Sequence, residues 1–189
     1  MAQRTIVGIG GTLRPNSSSE LLARAVLAEC EQLGARTRMF GGVELAQLPH
    51  FDPERPERTS VQTDLVAAVR AADALVIATP GYHGGVSGLV KNALDLLEDT
   101  RGDERVYFDG MPVGLIVSAA GWQAGGVTLG ALRGIVHAMR GWPTPIGIAV
   151  NSVEQIPFGP GGRIQEAGIA ELVRLQARQI MAFALADAA

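Results

Sequence analysis

A chain of 189 residues that is 47% hydrophobic and 19% charged has the size and make-up of one globular domain, taken here as 1–189. Its net charge of −3 comes without a basic stripe, which argues against nucleic acid, and no apolar run approaches the roughly 18 residues that cross a bilayer, which argues against a membrane. Cys30 is the only cysteine, so no internal disulfide can form; MAQRTIVGIG enters a strand pattern without the apolar core of a signal peptide, and a cytoplasmic location is expected.

Strand and helix patterns alternate along the chain. Thr5 to Ile9 reads as a buried strand, followed by a helix over about 17–33 with Leu22, Val26 and Leu33 on one side and Gly34 as its stop. Cys30 falls in that helix and is read as a core residue. Thr37 to Phe40 is a weaker second strand. LPHFDPERPERTS (48–60) is a polar, Pro-rich loop, and a helix follows over about 60–72. Ala74 to Ala78 is a continuous apolar strand, as expected when both faces are covered. The next helix has the clearest period: Val86, Leu89, Val90, Ala93, Leu94 and Leu97 form one stripe, with Lys91, Asn92, Asp95 and Glu98 off it. Val113 to Val117 is a fourth strand. Leu129, Leu132, Val136 and Met139 mark a fourth helix that stops at Gly141 and Pro143. Ile146 to Val150 is a fifth strand, residues 151–163 a flexible Gly/Pro-rich connection, and about 165–186 a closing helix.

Five strand–helix pairs predict an α/β fold with a doubly wound parallel sheet. Right-handed crossovers bring every strand's C-terminal end to one edge, and ligands bind there where the strand order reverses. With the order 2-1-3-4-5, that point lies between the first and third strands.

Three loops reach this edge. The first, GGTLRPNSSS (10–19), is rich in hydroxyls and carries one cation. Thr12, Ser17, Ser18 and Ser19 can donate to oxyanions, Arg14 can form paired bonds to phosphate, and the helix start adds partial positive charge. This suits a terminal phosphate monoester; Ser17 or Ser18 also suits a helix cap, and the two roles are compatible. The second loop, PGYHGG (80–85), follows the third strand. Gly81, Gly84 and Gly85 leave backbone amides uncovered, so a flat ring can lie against them, with Tyr82 packed on the ring or serving as ordinary turn packing. The third loop, SAAGWQAGG (118–126), offers Ser118 and the small backbone of Ala119, Ala120 and Gly121 beside the apolar Trp122.

Two rival readings fail on residue identity. A dinucleotide GxGxxG starting at Gly8 needs glycine where Leu13 stands, and no G-K-[ST] is present for a P-loop. His50, His83 and His137 lack metal-ligand spacing, so no metal site is expected.

At these loops the chain resembles the NADPH-dependent FMN reductase family, which has a flavodoxin-like fold. That family has a G-S-x-R-x-x-S phosphate loop; here it reads Gly11-Thr12-Leu13-Arg14-Pro15-Asn16-Ser17, with threonine keeping the hydroxyl. Pro80, Tyr82, Lys91, Asn92 and Asp95 match the family pattern P-E-Y-x7-K-N-x-x-D, while Gly81 replaces its glutamate. LPHFDPE (48–54) resembles the segment after the family's second strand. The similarity runs from about residue 4 to 150.

The resemblance implies a flavodoxin-like three-layer sandwich and FMN. The phosphate would sit on Gly11, Thr12, Arg14, Ser17, Ser18 and Ser19, and the isoalloxazine against Pro80, Gly81, Tyr82, His83, Gly84, Gly85 and Ser118–Gly121. It implies NADPH or NADH as reductant and a small acceptor: a quinone, an azo compound, free flavin or a metal oxyanion. The flavin carries such chemistry, so no catalytic side chain is assigned. Lys91, Asn92 and Asp95 are read as structural or at a subunit contact, and His83 as a passive loop residue that can also donate to a quinone oxygen. Trp122 and Trp142 suit the homodimers or homotetramers common in the family. The alternative is a flavodoxin-type carrier or a flavin-binding sensor without NAD(P)H turnover. Carriers tend to be strongly acidic with a T-x-T-G-x-T loop, and this chain has neither.

Overall fold

The computed structural model describes residues 3–183. Its elements run β1 (Thr5–Gly10), α1 (Ser18–Gln32), β2 (Arg36–Phe40), α2 (Gly42–Leu45), α3 (Ser60–Arg70), β3 (Ala74–Tyr82), β4 (Gly85–Val86), α4 (Gly88–Leu96), β5 (Pro112–Ala119), α5 (Trp122–Ala138), β6 (Trp142–Asn151) and α6 (Ala167–Ala182). The five long strands are parallel in the order β2-β1-β3-β5-β6, and the short β4 pairs antiparallel with β3. Numbered among the parallel strands alone, this is the expected 2-1-3-4-5.

Strand periodicity explains the layers. Val7, Ile9, Leu75, Ile77, Val113 and Leu115 face one side and pack with Leu65 and Val69 of α3, Val90 and Leu94 of α4, and Leu132 and Val136 of α5. Ile6, Ala74, Val76, Ala78, Ile116 and Ile148 face the other and meet α1 and α6 through Leu22, Val26, Val173, Ala177 and Ile180. Burying each of the Leu or Ile side chains contributes about 1.5–3 kcal/mol, so both helical layers are held mainly by apolar area.

Local signals set the helix ends. Gly34, at φ 95°, closes α1 in a Schellman motif: its N–H donates to the Glu31 carbonyl at 2.9 Å, and that of Ala35 to Cys30 at 3.0 Å. Arg105 caps the far end of α3, donating to the carbonyls of Ala72 (2.7 Å), Val69 (3.0 Å) and Arg70 (2.6 Å). In α6, the buried Gln176 amide donates to Leu115 and Ile146, both at 3.1 Å, where the register of β5 and β6 slips between Val113 and Leu115.

Four segments depart from expectation. The segment PGYHGG is not a loop: β3 continues to Tyr82, and only His83 and Gly84, at φ 52° and 76°, make the turn to β4. Positive φ at both positions is the two-residue hairpin geometry that matches strand twist. The four-residue α2 is too short to leave a period in sequence. β6 starts at Trp142 rather than Ile146; Pro143 is tolerated because β6 is an edge strand with one ladder to satisfy. The 151–163 connection is stitched rather than loose. Asn151 accepts from Val153 at 3.1 Å, Gln155 donates to Glu166 at 3.2 Å, and Phe158 bridges to Ile164. The closing helix starts at Ala167, and the expected end at 186 lies outside the described residues.

Cys30 is fully buried on the α1 side, and burial beside Glu29 and Glu31 pushes its thiol up to about 12. The thiolate is the reactive form. The folded protein is therefore expected to resist a maleimide at pH 8 and to react within minutes once unfolded; rapid labelling without denaturant would contradict the burial.

Candidate functional site

The C-terminal ends of β1, β3 and β5 open on one cleft of about 320 Å³. One wall is the first loop and helix start: Thr12, Arg14, Ser17, Ser18 and Ser19. The floor is the end of β3, with Pro80, Gly81 and Tyr82, and the other wall is Ser118, Ala119 and Ala120. Ser152 completes the lining. The other expected residues stand around this cleft. Gly11 borders an adjoining pocket of about 310 Å³ that also takes in Leu13, Arg14, Tyr82 and Leu89. His83 and Gly84 make the hairpin turn, Gly85 begins β4, and Gly121 is the N-cap of α5.

The first loop is built for donors. The Ser17 hydroxyl accepts from the Glu20 N–H at 3.4 Å and lies 3.4 Å from the Ser19 hydroxyl. The Ser18 and Ser19 N–H groups come before the first intrahelical bond, Leu21 to Ser17 at 2.9 Å, and so have no helical acceptor. The Thr12 hydroxyl is turned inward, accepting from the Arg14 N–H at 3.1 Å and donating to the Arg14 carbonyl at 3.3 Å. It shapes the loop, while the Arg14 guanidinium is left exposed above it. N–H groups without a helical acceptor at a helix start, beside one cation, make an anion site.

The floor is held by close packing. A Cβ on Gly81 would lie 2.8 Å from the Ala119 Cβ and 2.9 Å from the Thr128 hydroxyl, so glycine lets β3 sit against β5 and α5 here. A glutamate, usual at this point of the resembled pattern, has no room in this backbone. Thr79 supports the hairpin from within, accepting from the Ser87 N–H at 3.0 Å. Ser87 in turn caps α4 through the Val90 N–H at 3.3 Å.

The third loop is anchored by a residue that sequence reasoning missed. The Asn151 side chain, 2% exposed, accepts from the Gly121 N–H at 3.0 Å, and the Ser152 N–H donates to the Ala119 carbonyl at 2.9 Å. Asn151 ends β6, so the rule that placed the other loops at this edge applied to it as well; treating 151–163 as linker hid it. Asn151→Ala should lower stability by about 1 kcal/mol, because it leaves the half-buried Gly121 N–H without its acceptor. Urea melts would show this as a lower midpoint at constant slope.

The remaining candidates separate from the cleft. Asn92 staples the 48–54 loop, donating to the Pro49 carbonyl at 3.0 Å and accepting from the Phe51 N–H at 2.8 Å, which makes it structural. Lys91 and Asp95 form an exposed pair at 2.6 Å. Trp122 is 52% exposed, with its indole N–H donating to Glu154 at 2.8 Å. Among the described residues no group of His, Cys, Asp or Glu is arranged to hold a metal ion, and no helix is long and apolar enough to cross a membrane.

Residues 4–155 match the family model for NADPH-dependent FMN reductase. The chain belongs to that family. Among curated relatives, the NADPH-dependent FMN reductase chain is 32% identical over 148 residues to an FMN-dependent NADPH-azoreductase of Staphylococcus aureus, covering 75% of this chain and 73% of the relative. It shares its fold with a flavoenzyme NAD(P)H:(acceptor) oxidoreductase of Paracoccus denitrificans, at TM-score 0.75 and 18% identity over 95% of this chain and 98% of that one. An NADH:FMN oxidoreductase superposes at TM-score 0.71 with 19% identity over 96% and 91% of the two chains. The protein is an FMN-dependent NAD(P)H oxidoreductase. The cleft suits that cofactor by its own features: a donor-rich anion loop on one wall, and facing it the small side chains of Ser118, Ala119 and Ala120 above the Pro80–Tyr82 floor.

Proposed function

We propose that FMN lies along this cleft, with its phosphate at the loop of Gly11, Thr12, Arg14, Ser17, Ser18 and Ser19. Its ring then rests between Pro80–Gly85 and Ser118–Gly121. The observation that carries the reading is the cleft, at the point where the strand order reverses, that joins the anion loop to Gly81 at the end of β3 and to Ser118–Ala120 after β5. Bound FMN supplies hydride acceptance from NADPH or NADH and electron delivery to a second substrate.

The chain's own residues have binding and orienting roles. Arg14 and the Ser18 and Ser19 N–H groups neutralise the phosphate. The glycine backbone at 81 allows close approach, and Asn151 holds the third loop where its N–H groups can face developing negative charge on the ring edge. Tyr82, 58% exposed, and Leu13, 73% exposed, form an apolar rim that favours flat, weakly polar acceptors. We assign the acceptor to the quinones, azo compounds, free flavin and metal oxyanions, with azo compounds supported by the Staphylococcus aureus relative's name. The protein acts as one domain over 1–189, in the cytoplasm, as a homodimer or homotetramer; the exposed Trp122 and Trp142 support the last point.

NADPH oxidation by purified protein, with and without FMN and with a benzoquinone as acceptor, tests the reading. Flavin-dependent turnover is expected. Bound FMN without NADPH consumption would leave a carrier or sensor instead.

A further inference from the structure

A carboxylate lies beneath the anion loop. Glu20 is in the first turn of α1. Its Oε2 accepts from the Gly42 N–H at 3.1 Å, and its Oε1 accepts from Arg24 Nε at 3.0 Å and Nη2 at 2.8 Å. The Glu20 side chain is 12% exposed against 49% for Arg24. A Cβ on Gly11 would lie 2.9 Å from Glu20 Oε2, and one on Gly41 2.7 Å from Oε1. Gly42 in turn abuts the first loop, since a Cβ there would lie 1.9 Å from the Thr12 carbonyl oxygen. One carboxylate thus braces the loop, α1 and the start of α2 together.

The brace carries an electrostatic penalty. A phosphate monoester holds a charge of about −1.5 to −2 at neutral pH, and Glu20 sits against the backbone of the loop that receives it. Glu44, accepting from the Gly41 N–H at 2.8 Å, adds a second negative charge nearby. An unscreened carboxylate within a Debye length of about 8–10 Å repels the ligand. The two-point contact from Arg24 supplies the opposite charge.

We propose that Glu20 and Arg24 act as a positioning pair for the flavin phosphate: Glu20 fixes the loop through Gly42, and Arg24 cancels the charge that this brace introduces. The inference rests on the phosphate reading of the loop. Its measure is discrimination between FMN and riboflavin, which lacks the phosphate, followed by quenching of flavin fluorescence. Arg24→Gln should weaken FMN about fivefold at low ionic strength, the size of a partly exposed charge interaction. It should leave riboflavin unchanged, and the FMN effect should fade in about 0.5 M salt. Glu20→Gln combined with Arg24→Gln should restore FMN affinity, since the amide oxygen still accepts the Gly42 N–H and the brace no longer adds a charge that Arg24 must cancel. If Arg24→Gln changes both flavins equally or neither, or if the double variant binds FMN no better than Arg24→Gln, the pair has no such role. Arg14→Ala, run in parallel, separates the two ideas. Should it also leave the FMN-to-riboflavin ratio unchanged, the phosphate assignment fails; should it alone lower the ratio, only the pair's role fails.

Discussion

Arg14→Ala should weaken FMN binding roughly 30-fold, corresponding to about 2 kcal/mol for a lost charge-assisted contact. Arg14 is the one cation lining the cleft, and its side chain is exposed rather than held by the protein. Its removal should therefore leave the fold intact while taking away the cation proposed to hold the phosphate. The Thr12 hydroxyl bonds only the Arg14 backbone, so the loop keeps its shape in the variant. Titration of the apoprotein with FMN reads the loss directly. Arg14→Lys should recover part of it, since a lysine restores the charge but not the two-point geometry. Unchanged affinity in the alanine variant would move the phosphate elsewhere.

Gly10→Ala should have the largest effect on folding. Gly10 ends β1 and is paired with Ala78 of β3, at the strand junction beneath the cleft. A Cβ there would lie 2.1 Å from the Ala78 carbonyl oxygen and 2.9 Å from its carbonyl carbon. Both atoms belong to the backbone of the central strand, so no rotamer change relieves the overlap and the two strands must part. A loss of about 3 kcal/mol or more is expected, a large share of the stability of a domain this size. Chemical denaturation of the apoprotein measures it. Gly88→Ala, in the first turn of α4 with nothing within 4 Å of its Cβ, is the matched control and should be neutral or slightly stabilising. A loss below about 1 kcal/mol in Gly10→Ala would mean that β1 and β3 do not approach this closely.

The layers and strand order were legible because the apolar patterns are strong. The unbroken run from Ala74 to Ala78 and the stripe from Val86 to Leu97 admit few alternatives. The end of β3 was not legible. Pro80 and Gly81 are turn residues by type, yet Pro80 pairs in register with Ser118 and Gly81 with Val86. Tertiary packing, the close fit of Gly81 to Ala119, overrides that local preference. The cleft walls followed from hydroxyls and glycines placed after strands. Asn151 stands at the end of the fifth long strand and was within reach of the same rule, whereas Glu20 was not, because it acts on the backbone of a distant segment, a relation that no spacing along the chain encodes.

Gln176 sets a boundary of a different kind. The family match ends at residue 155, yet this amide, two helical turns into α6, serves carbonyls in both β5 and β6 at the point where their ladder slips. The match is therefore not a place to cut. A fragment ending at 155 would uncover the sheet face packed by Ile169, Val173, Ala177 and Ile180, and would take the Gln176 donor from the carbonyls of Leu115 and Ile146. In native-state hydrogen exchange, α6 and the β5–β6 seam should open as one cooperative unit, so the part of the chain beyond the family match governs how long the Ser118–Ala120 wall of the cleft stays closed.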